Sequence, residues 1–135
     1  MMSRCRALCW GLASTSFAWG CFSEKGDVTA PAPEFVSCND NAPAPPVNAR
    51  VVRIRNFQFS PAQLSVPRGT TVWWINCENA GAGNAHTATS DSGVWDSPLL
   101  APEGVGNYSR PFDAPGAFPY HCKPHPNMVA TITVT

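Results

Sequence analysis

The chain is 135 residues long, enough for one ordinary domain with extensions and nothing larger. Charged residues make up 13% of it and the formal net charge is zero, so there is no electrostatic case for nucleic acid or an anionic membrane as partner. Fourteen prolines and ten glycines among few strong helix formers favour an all-β protein with many turns.

The first twenty residues have the form of an export signal. Arg4 and Arg6 give a positive start, ALCWGLASTSFAWG gives a mostly apolar stretch, and Ala18-Trp19-Gly20 puts small residues where a signal peptidase reads. The run is shorter than the roughly 20 apolar residues of a spanning helix. Residues 1–20 are therefore expected to be a removed signal peptide, leaving a mature chain without a transmembrane helix in the periplasm or cell envelope. Cleavage after Gly20 leaves Cys21 first, which resembles a bacterial lipoprotein and makes Cys21 a candidate lipid anchor, with Ala18 where that pattern prefers a branched aliphatic residue. The mature chain keeps seven Lys or Arg against nine Asp or Glu, a net charge of −2.

Residues 21–49 follow as a tether. The stretch FSEKGDVTAPAPEFVSCNDNAPAPPVNA has five prolines and no sustained apolar period, so it is expected to be disordered. As a coil it would reach roughly 30 Å, and extended about 85 Å, enough to hold a domain clear of a membrane.

From Arg50 the texture becomes that of strands. RVVRIRNFQF alternates, with Val51, Arg53 and Arg55 on one face and Val52 and Ile54 on the other. AQLSVPRGTTVWWIN continues with Leu64 and Val66 on one face, a Pro67-Arg68-Gly69 turn, and the β-prone run Val72-Trp73-Trp74-Ile75. Alternation sends one of these tryptophans into the core and the other outward. HTATS, NYSRPFDA, AFPYHC and VATITVT supply further strands. About seven strands in residues 50–135 read as a Greek-key β-sandwich.

The chemistry gathers near the C-terminus in FPYHCKPHPNM, where the spacing is Cys122-x-x-His125-x-x-Met128. One loop between two strands thus carries three potential ligands, and His86 lies upstream, between a strand-like run and HTATS. A sandwich collects its loops at its ends, so His86 can meet the other three. Two imidazoles, a thiolate and a weak axial thioether form the blue-copper set. Zinc would accept His86, Cys122 and His125 but gains little from a thioether. His121 adjoins Cys122 on a strand and should face away from the metal. Asp91 and Asp96 read as turn residues in SDSGVWDS.

Four cysteines survive cleavage: Cys21, Cys38, Cys77 and Cys122. If Cys122 is a ligand and Cys21 is lipidated or free, Cys38 and Cys77 remain as the expected disulfide, two free thiols being the alternative.

Residues 50–135 resemble a cupredoxin, a type 1 blue copper protein. The marks are FQFSPAQLSVPRGTTVWWIN, His86 in HTATSDSGVWDS, the Pro115-Gly116 pair and YHCKPHPNM. Two residues between His125 and Met128 match the short ligand loop of the amicyanin-like members, in the group that also holds plastocyanin. The CENAGAGNAH loop departs from the family, being longer and having Ala85 where a proline is common. The resemblance implies one copper ion held by His86, Cys122 and His125 with Met128 axial. It also implies shuttling of single electrons between transient redox partners by a monomer, with His125 as exit, ringed by Pro124, Pro126, Leu99 and Leu100.

No catalytic residues are expected. A multicopper oxidase or nitrite reductase needs more histidines than His86, His121 and His125, the only three. Copper delivery without electron transfer, and a structural zinc sandwich, remain as alternatives.

Overall fold

The computed structural model describes Cys38, Asn39 and residues 42–135. The signal peptide, Cys21 and most of the tether lie outside the described residues. Among the described residues there are eight strands and no helix: β1 Arg50–Arg55, β2 Gln58–Ser60, β3 Gln63–Val66, β4 Thr70–Asn76, β5 Thr89–Ser90, β6 Asn107–Phe112, β7 Gly116–His121 and β8 Val129–Val134. They form two four-stranded sheets, ordered β2-β1-β4-β6 and β3-β8-β7-β5. Each sheet is mixed, with β1 parallel to β4 and β3 parallel to β8. This is the expected all-β sandwich with one strand more.

The extra strand comes from RVVRIRNFQF, which breaks in two. Asn56 and Phe57 adopt φ of 52° and 56°, and Arg55 pairs with Gln58 across them. A two-residue turn with both φ positive matches the right-handed twist of a hairpin. HTATS is shorter than expected as a strand: only Thr89–Ser90 pairs with β7, while His86 makes an isolated bridge to Leu100.

The inner faces of the sheets meet in one core. Val52 and Ile54 come from β1, Val72 and Trp74 from β4, Phe112 from β6, Tyr120 from β7, and Ala130, Ile132 and Val134 from β8. The Trp74 ring stands edge-on to Tyr120 at 5.7 Å. Burying a ring of this size contributes about 2–3 kcal/mol. Burial also pushes the Tyr120 phenol well above its ordinary range, so it stays neutral.

Trp73 corrects the alternation argument. It does point to the opposite face from Trp74, yet only 2% of it is exposed. Trp73, Ile75 and Cys77 form a second cluster, covered by Cys38, Ala42, Ala49 and Val51. The expected Cys38–Cys77 disulfide is present and spans 39 residues of sequence. The described part of the segment read as a tether is thus fastened over the outer face of the first sheet. Strand period tells which side a residue faces, but not what chain returns to cover that side.

Four segments reach one end of the sandwich. Because β1 and β4 are parallel, with Ile54 opposite Asn76, the Asn56-Phe57 turn and the start of the Cys77–His86 loop emerge together. The β7–β8 connection, residues 122–128, emerges beside them. The fourth segment is the stretch before β6. Gly106 lets it fold tightly, since a Cβ there would lie 2.1 Å from the Ala101 nitrogen. Its N–H donates to the Ala101 carbonyl at 3.0 Å and its carbonyl accepts the Asn76 N–H at 2.9 Å.

Candidate metal centre

The β7–β8 loop is wound by its own backbone. Cys122 N–H donates to the Met128 carbonyl at 3.0 Å, His125 N–H to the Cys122 carbonyl at 3.1 Å, and Met128 N–H to the His125 carbonyl at 2.8 Å. These nested turns bring residues 122, 125 and 128 together at the spacing seen in the sequence. Pro124 and Pro126 fix φ on both sides of His125 and so stiffen the loop.

His86 is anchored separately. Its N–H donates to the Leu100 carbonyl at 3.2 Å and its carbonyl accepts the Leu100 N–H at 2.7 Å. Leu100, expected in an apolar patch around His125, is instead a core residue 1% exposed, and Leu99 stands out at 61%. The pocket beside His125 is lined by Phe57, Pro124, Pro126, Asn127 and Met128.

The three nearest donor atoms form a small triangle. Cys122 Sγ lies 3.5 Å from His86 Nδ1 and 3.6 Å from His125 Nδ1, and the two Nδ1 atoms are 3.0 Å apart. The circumradius of a triangle with those sides is about 2.0 Å, the length of a metal–imidazole bond. With both Nδ1 atoms unprotonated, as metal ligands must be, three donors this close would repel one another unless a cation lay among them. The donor set therefore fits a metal ion, and Met128, which lines the pocket beside His125, carries the kind of soft thioether that suits copper better than zinc.

The surroundings support that use. Thr87 N–H donates to Cys122 Sγ at 3.3 Å. His86 is fully buried, and its pKa lies below the ordinary value, chiefly through burial and then through His125, with Glu78 opposing. The imidazole is thus kept neutral, as a ligand must be. Behind it, Glu78 Oε1 lies 3.7 Å from His86 Nε2, which has no hydrogen-bond partner among the described residues. Asn76 holds the loop that carries Glu78. Its Nδ2 donates to the carbonyls of Asn84 and Leu100 at 2.7 and 2.8 Å, and its Oδ1 accepts the Glu78 N–H at 3.0 Å.

A chain of hydrogen bonds ties the His86 and Cys122 segments together. A carboxylate only accepts, so its direction is fixed. Thr89 donates to Asp96 at 2.8 Å, Thr87 donates to Thr89 at 3.0 Å, and the Thr87 hydroxyl oxygen accepts the Lys123 N–H at 2.9 Å. The Lys123 ammonium pairs with the same Asp96 carboxylate. That bond first, and the Thr89 hydroxyl second, hold the Asp96 carboxyl below the usual range.

His121 turns away from the triangle, its Nδ1 2.5 Å from Asp91 Oδ1. Asp91 lies in a turn as expected, whereas Asp96 sits in an isolated bridge to Thr89; both side chains are partnered. Phe57, Glu78 and Thr87 were not found by sequence reasoning. The one signal for Phe57 was Asn56-Phe57 where a hairpin would carry Asn-Gly. Glu78 and Thr87 had none, because the groups of the site that they touch, His86 for one and Cys122 and Lys123 for the other, lie 8 to 36 residues away.

Residues 47–135 match the family model described as copper-binding proteins of the plastocyanin/azurin family. Amicyanin from Paracoccus denitrificans is 35% identical over 88 residues, which are 64% of this chain and 65% of that protein. Among solved structures, a reduced Cu(I) form of an amicyanin variant superposes with a TM-score of 0.57 at 27% identity, covering 78% of this chain and 95% of that one. A purple cupredoxin from Nitrosopumilus maritimus gives 0.54 at 26% identity, covering 63% and 98%. With the fold, the donor triangle and these matches in agreement, the chain belongs to the plastocyanin/azurin family of copper-binding proteins, and its cofactor is one copper ion.

Proposed function

We propose that the protein is an exported, non-catalytic electron carrier with a single type 1 copper site formed by His86, Cys122, His125 and Met128. The observation that carries this reading is the triangle of two imidazole nitrogens and one sulfur, with sides of 3.0 to 3.6 Å, on a loop that also bears a methionine. When bound, copper supplies a one-electron Cu(II)/Cu(I) couple. The chain's own contribution is to hold one donor arrangement for both oxidation states, so that little moves when the charge changes. The Thr87 N–H to sulfur bond and the stiff Pro124-His125-Pro126 segment serve that end.

His125 is half-buried and lines an apolar pocket with Phe57, Pro124, Pro126 and Met128. In this reading that pocket is where a redox partner docks, through a small and transient contact. Residues 1–20 direct export, Cys21 is the candidate lipid anchor, and residues 50–135 work as a monomeric carrier domain in the periplasm or envelope.

The test is to add Cu(II) to purified metal-free protein and record the visible spectrum. An intense blue thiolate-to-copper band that bleaches on reduction is expected. A colourless protein that prefers zinc would reject the reading. Met128→Ala should keep copper but shift the band and the reduction potential, and an unchanged spectrum and potential would remove the thioether from the site.

A further inference from the structure

Phe57 occupies a backbone position that its own side chain opposes. The Asn56-Phe57 turn has φ of 52° and 56°, and its second place is usually glycine because a Cβ is disfavoured there. Asparagine tolerates such a conformation; a bulky aromatic residue does not. Core burial gives no reason for the choice either, since Phe57 is 44% exposed.

What the ring touches is the donor set. Its centroid lies 5.2 Å from that of His86 and 4.9 Å from that of His125, with interplanar angles of 88° and 86°. The two imidazole centroids are 4.7 Å apart, so the three rings close a triangle of their own. The Phe57 N–H also donates to Glu78 Oε1 at 2.6 Å, the oxygen that faces His86 Nε2. A strained backbone position whose side chain and amide both serve one site is a reason to look for function there.

We propose that Phe57 is a positioning residue for the metal centre: its ring braces both imidazoles in their metal-holding arrangement, and its amide fixes Glu78 behind His86. His125 is half-buried on a loop held by backbone turns, so an edge-on ring limits the swing by which its imidazole would leave a bound ion. Bracing the donors before the metal arrives also lowers the ordering cost of binding. The inference rests on the copper reading above.

The test compares Phe57→Tyr with Phe57→Leu, two side chains that bear the same backbone cost while only one keeps the ring. Copper transfer to an excess of chelator is expected to run at the wild-type rate in the tyrosine variant and about tenfold faster in the leucine variant. In the metal-free protein, the His125 ring signals by NMR should stay sharp with tyrosine and broaden or shift with leucine. Phe57→Gly, which relieves the turn, should also lose copper about tenfold faster, however its own stability moves. Equal loss rates and unchanged His125 signals across the variants would overturn the proposal. The ring signals decide even if the wild-type protein takes up no copper, an outcome that counts against the copper reading and not against the brace.

Discussion

Breaking the Cys38–Cys77 bond should cost this protein a large part of its stability. The bridge joins cysteines 39 residues apart in sequence. For a loop of that length the chain-entropy relation gives about 13 cal/mol/K, or about 3.9 kcal/mol at 25 °C, through the freedom restored to the unfolded chain. A second loss accompanies it. The segment held by Cys38 covers Trp73 and Ile75, so freeing it exposes apolar surface that the folded state now hides. The expected total is about 4 kcal/mol or somewhat more, which for a domain this size is a substantial share of the whole. The assay is urea unfolding of the copper-free protein against a Cys38→Ala, Cys77→Ala double variant, with tryptophan emission followed in the native baseline. A lower midpoint and a red-shifted native emission are expected. A stability change below about 1 kcal/mol with unchanged emission would refute both the entropic argument and the view that this segment is a working cover for the sheet.

Asn76→Ala should destabilise the protein by about 3 kcal/mol, because three hydrogen bonds are lost and the Glu78 N–H and Asn84 carbonyl lose their side-chain partner, while the Leu100 carbonyl keeps the His86 N–H. A urea-derived change under about 1 kcal/mol would mean that water replaces the side chain. In the copper-free protein, the depressed pKa of His86 gives a pH dependence of definite sign. Below its ordinary value of 6.5 the unfolded chain binds a proton that the folded chain resists, so stability is full above that pH and falls as the pH drops beneath it. The slope from this one group is at most about 1.4 kcal/mol per pH unit. Unfolding midpoints from about pH 7.5 to about pH 5.5 should therefore fall more steeply in the wild-type protein than in His86→Gln; equal slopes would locate the effect elsewhere.

The parts of the fold and site that could be read in advance are those set by neighbours in sequence. Alternation marked β1 and β3, and the run of β-prone residues marked β4, because a strand's sides and its residue preferences are both local properties. The Cys122-x-x-His125-x-x-Met128 spacing was readable for the same reason: one loop, wound by hydrogen bonds between its own residues, brings those side chains together. His86 joined them on paper through the family resemblance and through the tendency of a sandwich to collect loops at its ends. The break in RVVRIRNFQF was hidden because Phe57 is not the residue that such a turn usually carries.

The chain's local order thus determined its class, most of its strands and the chemical kind of its ligand loop. Tertiary structure alone decided that Trp73 is covered, that Leu100 belongs to the core and not to a surface patch, and that Phe57, Glu78 and Thr87 surround the donors. Each of these depends on segments brought together by sheet pairing or by the disulfide, and proximity of that kind leaves no periodic trace in a single sequence.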